Sequence, residues 1–300
     1  MNDKLSLTAI ILTLNEDIHL ERCIASIEGI CEKIIVVDSY SSDRTEEIAI
    51  DKNVIFVQNK WINHAVQFNW ALDHCNIQSD WVIRIDADEY LYEKTQMEIR
   101  NKLPLIDPSI TGIEMPLTRV FFGKVMKHGL GTINMLRIFR KGKARSENKW
   151  MDEHLELFEG ETILLDNGFA DDNLNSFGWW TDKHNGYSIR EAIDLLDIEY
   201  NLFTKKTSYK VSEETFQKRQ MKQNYIKLPI FIRCFIYFLY RYILRFGFLD
   251  GKEGFIWHFF QGWWYRTLVD VKIFEIKKIC GSEKTKIREY IKKVYNIDIN

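Results

Sequence analysis

The sequence predicts an α/β protein whose first half is built on a parallel sheet. Three observations carry this. Residues 34–43 and 81–89 are each an apolar, largely β-branched run that stops abruptly in carboxylates, at Asp38 and Asp43 and at Asp86, Asp88 and Glu89. Such runs read as strands buried on both faces. Between residues 7 and 85 they alternate with segments of helical spacing, the pattern of crossover connections. In open sheets of this kind the ligand lies off the carboxyl ends of the strands, so two strands that deliver acids to one edge mark a site.

Taken in order, residues 7–14 form the first strand, closed by Asn15-Glu16-Asp17. Residues 18–29 are helical, with Leu20, Cys23, Ile24 and Ile27 on one face. Strand 34–37 follows, and Ser41-Ser42-Asp43 caps a helix over about 44–51. Strand 54–57, a helix over 64–76 and strand 81–85 complete a β-α-β-α-β-α-β half. After Pro104 the pattern changes. Segments 111–122, 131–140 and 155–165 alternate like antiparallel strands, punctuated by Gly123, Gly129, Gly131, Gly142 and Gly160. This is a mixed-sheet second half. Residues 187–226 read as mainly helical.

The 300 residues are 46% apolar and 28% charged, with a net charge of −2, enough for one large or two ordinary domains. The charge is uneven: residues 1–200 hold 21 Lys and Arg against 34 Asp and Glu, residues 201–300 hold 20 against 9. We read residues 1–200 as the domain that carries the site and 201–300 as a C-terminal amphipathic helical region. A basic, aromatic-rich tail on an acidic body points to an anionic membrane surface. It speaks against nucleic acid, because the basic residues interleave with long aliphatic and aromatic runs. The five cysteines are scattered with no CxxC pair, which fits a reduced, cytoplasmic chain. Met1 to Leu7 is too short and too polar for a signal peptide.

Residues 228–246 are the most hydrophobic stretch, interrupted by Arg233, Arg241 and Arg245. An arginine near mid-bilayer costs at least about 2.5 kcal/mol. The stretch is therefore expected to lie in the membrane plane with snorkelling arginines. Residues 253–275 are expected to form a second amphipathic helix whose aromatics, Trp257, Trp263 and Trp264 among them, sit at headgroup depth. A buried helical hairpin or a dimer interface is the competing expectation.

Asp86-x-Asp88 has the spacing that holds a divalent cation against a diphosphate, and hard oxygen ligands suit Mg²⁺ or Mn²⁺. The order Thr13-Leu14-Asn15-Glu16, then Val37-Asp38-Ser39-Tyr40-Ser41-Ser42-Asp43-Arg44-Thr45, then Asp86-Ala87-Asp88-Glu89 resembles the family 2 inverting glycosyltransferases of the GT-A fold. The likeness is in particular to the bacterial branch with lipopolysaccharide-core β-glucosyltransferases, and it covers roughly residues 7–200. It implies a Rossmann-like GT-A domain with a mixed central sheet that binds a nucleotide sugar, plus a C-terminal helical, membrane-associating region.

By position, the resemblance places Thr13, Asn15 and Glu16 on the base and Asp38 on the uracil or ribose, with Gln67 and Asn69 as second-tier nucleotide contacts. Asp88 ligates Mg²⁺ or Mn²⁺, and Asp86 meets the ribose or the metal. Asp43 caps the next helix. The catalytic base is Asp152 or Glu153, in Trp150-Met151-Asp152-Glu153-His154. Lys183 and His184, in a polar-aromatic cluster from Asp171 to Arg190, are expected to contact the diphosphate. The function implied is transfer of a sugar, with inversion, from a nucleotide-sugar donor, UDP-hexose above all, to a glycan or lipid-linked acceptor in envelope polysaccharide assembly, at the cytoplasmic face of the cell membrane. The rivals are a metal-dependent sugar nucleotidyltransferase and an inactive membrane-bound scaffold. The first would want a Gly-rich, basic loop after strand one, which Asn15-Glu16-Asp17-Ile18-His19 does not supply. The intact acids speak against the second.

Overall fold

A computed structural model gives the fold, and the structure describes residues 4–147, 154–202 and 224–298. These fall into two compact units, one from residues 1–125 and 132–174, the other from 126–131 and 175–300.

The first unit begins as the alternation predicts: β1 (Leu5–Thr13), α1 (Leu20–Ala25), β2 (Cys31–Asp38), α2 (Thr45–Asp51), β3 (Ile55–Gln58), α3 (His64–His74) and β4 (Trp81–Asp86). Next come β5 (Glu89–Leu91), α4 (Glu93–Lys102), β6 (Ile110–Phe121), β7 (Lys124–Val125), β8 (Asn134–Arg140), β9 (Ala144–Ser146), β10 (Leu155–Leu157), β11 (Glu161–Leu164) and β12 (Phe169–Asp172). The main sheet runs β3-β2-β1-β4-β8-β6-β12-β5. Its first four strands are parallel. β8 then runs antiparallel to both β4 and β6. This is the parallel half and mixed half that the sequence predicts.

The parallel strands are continuous apolar runs because both faces are covered. Leu7, Ala9 and Ile11 of β1 pack on one side with Leu20, Cys23 and Ile24 of α1. Ile10 and Leu12 pack on the other with Phe68 and Ala71 of α3. Segment 155–165 differs from expectation. It is two strands, β10 on β9 and β11 on β6, separated by Gly160 at φ +84°. Four short strands had no counterpart in the sequence reading, β5, β7, β9 and β12, of which β5 and β12 pair with each other.

The second unit is helical: α5 (Phe177–Tyr200), α6 (Ile232–Leu239), a π-helical turn (Tyr240–Leu244), α7 (Gly251–Trp257), a second π-helical stretch (His258–Trp264), α8 (Tyr265–Cys280) and α9 (Lys284–Tyr295). The units part between Leu174 and Asn175, although the site-bearing region was expected to run to residue 200. The reason is α5, whose Ile189, Ala192, Ile193 and Leu196 pack with Val269, Ile273 and Ile276 of α8 and Ile287 of α9.

The arginines of 228–246 overturn the expectation of snorkelling. Arg233 and Arg241 are buried and only Arg245 is exposed. Arg233 Nε lies 2.9 Å from Asp270 Oδ1, inside the unit, so its charge is met by a carboxylate rather than by headgroups. Trp257 likewise turns inward, 6.5 Å from Trp180 ring to ring.

Candidate active site

Register brings three polar side chains to one edge. Thr13 pairs across β1 and β2 with Asp38, and Leu12 pairs across β1 and β4 with Asp86. The carboxyl ends of three adjacent parallel strands thus meet beside β1, where the chain order reverses and where such sheets hold their ligands.

Asp38 organises the first wall. It is fully buried. Its Oδ1 accepts from Thr13 Oγ1 (2.9 Å) and Ser41 Oγ (2.5 Å), and its Oδ2 from Ser41 N (2.8 Å) and Gln58 Nε2 (3.2 Å). Four donors fill the acceptor capacity of a carboxylate. Asp38 therefore holds the loop after β2 and offers no free oxygen to a nucleotide. The loop it holds carries Tyr40, exposed and at φ +64°. Asn15 and Glu16 knit the β1 loop to the same segment. Asn15 N donates to Ser41 Oγ (2.8 Å), Ser42 N donates to Asn15 Oδ1 (2.8 Å), and Glu16 N donates to Thr45 Oγ1 (2.9 Å). Asp43 accepts from Asp17 N (3.0 Å) and from Thr45 N (3.0 Å) at the start of α2. Those bonds outweigh burial and hold its carboxyl below the ordinary range.

Gln67 and Asn69 lie behind this wall. Gln67 is fully buried and braces Ser39 Oγ and the Asn59 backbone oxygen, both at 3.1 Å. Asn69 closes two bonds on one backbone unit, donating to Ser146 O and accepting from Ser146 N, each 2.9 Å. It pins β9, whose last residue is Ser146. The expected bases, Asp152 and Glu153, lie outside the described residues.

The second wall is acidic. Asp86 stands half-buried between two buried arginines, with Arg84 Nε 3.6 Å from its Oδ1 and Arg137 Nη2 3.7 Å from its Oδ2. Burial alone would raise the Asp86 carboxyl, but Arg84 and Arg137 outweigh it and hold the group well below the usual carboxylate range. Arg137 also bonds Glu89 Oε1, and Asp86 N donates to Glu89 Oε2 (2.9 Å). Burial, reinforced by the Asp86 charge, pushes Glu89 upward against Arg137. Asp88 accepts from Asn173 Nδ2 at Oδ2 (3.0 Å). Asp171, on β12 opposite Glu89, is pushed up to about 6 by burial and by the Asp88 charge, with Arg119 opposing.

A divalent cation fits these donors. Asp86 Oδ1 is buried without a hydrogen-bond donor, although Asp86 is the acid held ionised. Asp88 Oδ1 has no donor among the described residues. Both are hard anionic oxygens of the kind Mg²⁺ and Mn²⁺ take.

The sequence reading missed Arg84 and Arg137, which set the charge of Asp86. It also missed what holds the Asp88 loop. Arg22 donates to Asp172 Oδ2 and O, both 2.6 Å, Asp172 N donates to Asp88 O (3.1 Å), and His19 Nε2 accepts from Leu174 N (2.8 Å). With Nε2 so engaged, the His19 proton sits on Nδ1 and faces Glu16 Oε2 at 2.6 Å. The register of β12 on β5 and β6 was the signal for the last acids, and it is a long-range pairing that local periodicity does not show.

Lys183 and His184 belong to the second unit, on α5. Lys183 Nζ lies 4.4 Å from the centroid of the Trp179 ring. His184 stacks on Trp180, faces Trp180 O through Nδ1 (2.8 Å) and meets Gln261 Nε2 through Nε2 (2.7 Å). Burial lowers it to about 4. Both ring nitrogens of His184 are thus engaged within the second unit.

Residues 8–102 match the family described as Glycosyl transferase family 2. Over these residues the chain is similar to family 2 glycosyltransferases. Among curated relatives, the lipopolysaccharide core biosynthesis glycosyltransferase LpsC of Rhizobium meliloti is 34% identical over 155 residues, 48% of this chain and 54% of that one. An uncharacterized glycosyltransferase of Rickettsia bellii is 39% identical over 93 residues, 31% of each chain. The chain thus matches about a third to a half of the length of these relatives. A crystal structure of glucosyl-3-phosphoglycerate synthase from Mycobacterium tuberculosis with Mn²⁺ and UDP-glucose has a TM-score of 0.32 and 22% identity, over 37% of this chain and 43% of that one.

Proposed function

We propose that the protein transfers a sugar, with inversion, from a nucleotide-sugar donor, UDP-hexose above all, to a glycan or lipid-linked acceptor in bacterial envelope polysaccharide assembly. The observation that carries this is the register of Thr13, Asp38 and Asp86 at one sheet edge, with the ionised, donor-free Asp86 Oδ1 two residues from Asp88. The lipopolysaccharide core role in the name of the Rhizobium relative supports the envelope assignment.

The loops after β1 and β2, held by Asp38, Asn15 and Asp43, form the nucleotide wall. Asp86 and Asp88 would hold Mg²⁺ or Mn²⁺. When bound, the cation neutralises charge on the departing nucleoside diphosphate. Arg84 and Arg137 keep Asp86 ionised for that task. Inversion in one displacement needs a single base to take the proton of the acceptor hydroxyl as its oxygen attacks the anomeric carbon. We assign that base to Asp152 or Glu153. The lipid-linked acceptor we propose and the excess of Lys and Arg in residues 201–300 support a reading in which the work is done at an anionic membrane surface, on the inner face of the cell membrane. No helix among the described residues is long and apolar enough to cross a membrane.

The test is a screen of nucleotide sugars with Mn²⁺, read as released nucleoside diphosphate. Release from one UDP-hexose well above the others supports the reading. Release from none, or formation of a nucleotide sugar from a sugar phosphate and a nucleoside triphosphate, overturns it.

A further inference from the structure

We propose that the second unit docks on a bilayer by burying one apolar face, built from α6, the turn after it and the 246–249 loop, in a single leaflet, with basic residues as its rim. This deepens the reading of an enzyme that acts on a lipid-linked acceptor, and it reverses the expected division of labour: the side chains that enter are aliphatic and aromatic, and the central arginines stay inside the protein.

Three observations point there. The first is that this segment is turned inside out. Arg233, Cys234 and Phe238 of α6 face inward, and Arg241 in the following π-helical turn is buried as well. Ile232, Ile236, Ile243, Leu244, Phe246 and Leu249 are each about half exposed or more. Single exposed apolar side chains need no explanation, but six within eighteen residues, over buried charges, do. Arg233 is satisfied by Asp270, and the Arg241 guanidinium lies 5.3 Å from the Tyr237 ring centroid, so neither is poised to reach outward.

The second is the sign of the surrounding charge. Lys227, Arg245 and Lys252 are exposed, and the only acid between residues 224 and 252, Asp250, is buried against His128, accepting from its N–H at 2.8 Å. Glu253, half-buried, follows Lys252, so the rim is mainly basic, and an apolar face with such a rim complements an anionic headgroup layer. It does not complement itself, because a two-fold dimer through this face would set the same lysines and arginine against their copies. The third is length. α6 and the π-helical turn that continues it, residues 232–244, span roughly 20 Å, against a hydrocarbon core of roughly 30 Å, so the segment can enter the bilayer and cannot cross it.

Vesicle flotation of the full chain tests this, with neutral phosphatidylcholine vesicles, vesicles carrying phosphatidylglycerol, and low and high salt. Three proteins are compared: the wild type, Leu244→Asp/Leu249→Asp, and Lys227→Gln/Lys252→Gln. The substituted side chains are exposed, and circular dichroism with donor hydrolysis checks that each variant is folded. We expect the wild type to float with both vesicles, better with the anionic ones, and to keep at least half of its binding at high salt. The aspartate pair should lose about tenfold or more. The glutamine pair should fall only to the neutral-vesicle level. Binding abolished by high salt, or an aspartate pair that floats like the wild type, overturns apolar docking. No flotation with any vesicle, together with a concentration-dependent dimer that the aspartate pair dissolves, assigns the face to a second copy and overturns it too. A wild type that hydrolyses donor but floats with no vesicle overturns the docking alone, and a wild type that floats but hydrolyses no donor overturns the glycosyltransferase reading alone.

Discussion

Arg137 and Asp86 face each other across 3.7 Å, and the same guanidinium bonds Glu89. One buried cation thus serves both an acid that must be charged and an acid that burial pushes toward neutrality. Removing one partner of a buried ion pair costs about 3–5 kcal/mol, because the other is left uncompensated. Arg137→Met should destabilise the protein by about that much in urea unfolding, and Arg137→Met with Glu89→Gln should recover a large share of it. A single variant within about 0.5 kcal/mol of the wild type would remove Arg137 from the account.

Tyr40 stands at φ +64° at the exposed tip of the loop that Asp38 holds. A left-handed conformation costs a non-glycine residue roughly 1–2 kcal/mol. Strain of this kind is kept where a side chain is useful, and an exposed ring beside a nucleotide wall can stack on a base. Tyr40→Gly should leave stability unchanged or raise it by about 1 kcal/mol, while UDP affinity falls about tenfold by titration calorimetry. Unchanged affinity would show that the ring takes no part in donor binding.

Asp152→Asn should cut transfer by about 10²–10⁴-fold while donor binding stays intact, since only a proton acceptor is lost. If Glu153→Gln is the severe change and Asp152→Asn the mild one, the roles are exchanged. Mild effects from both would place the base elsewhere.

Glu98 anchors the approach to β12. It accepts from Asp166 N and Asn167 N, each 2.9 Å, and from Lys102 Nζ at 2.7 Å. Burial opposes these bonds, and together they bring its carboxyl down from 4.5 to about 2. Because the folded value is the depressed one, the stabilisation is complete above about pH 4.5 and is lost as pH falls toward 2. Glu98→Gln should therefore be less stable than the wild type at pH 7, and the gap should shrink steadily below pH 4.5 in urea midpoints. A gap independent of pH would contradict the charged role of Glu98.

The parallel half was legible because its strands are covered on both faces, so each is an unbroken apolar run such as Ile34 to Val37. The acids were legible because they end those runs. What local reading could not supply were pairings between distant short strands. Glu89–Leu91 and Phe169–Asp172 are too short to show a period, yet their pairing places Asp171 opposite Glu89. Buried arginines were the second blind spot. In the strand Arg84 and in the helix Arg233 look like outward positions, since spacing tells which residues share a face and not which face is covered. Only the carboxylates that meet them, Asp86 and Asp270, show that the faces point inward.

Asp86 and Asp88 are proposed to hold a divalent cation against a nucleoside diphosphate. Calorimetric titration of UDP, with Mn²⁺ and with a chelator, in the wild type and in Asp88→Ala, tests it most directly. The wild type should bind UDP tightly with Mn²⁺ only, and Asp88→Ala should lose several kcal/mol of that binding. Equal UDP affinity with and without Mn²⁺, or in both proteins, would contradict it.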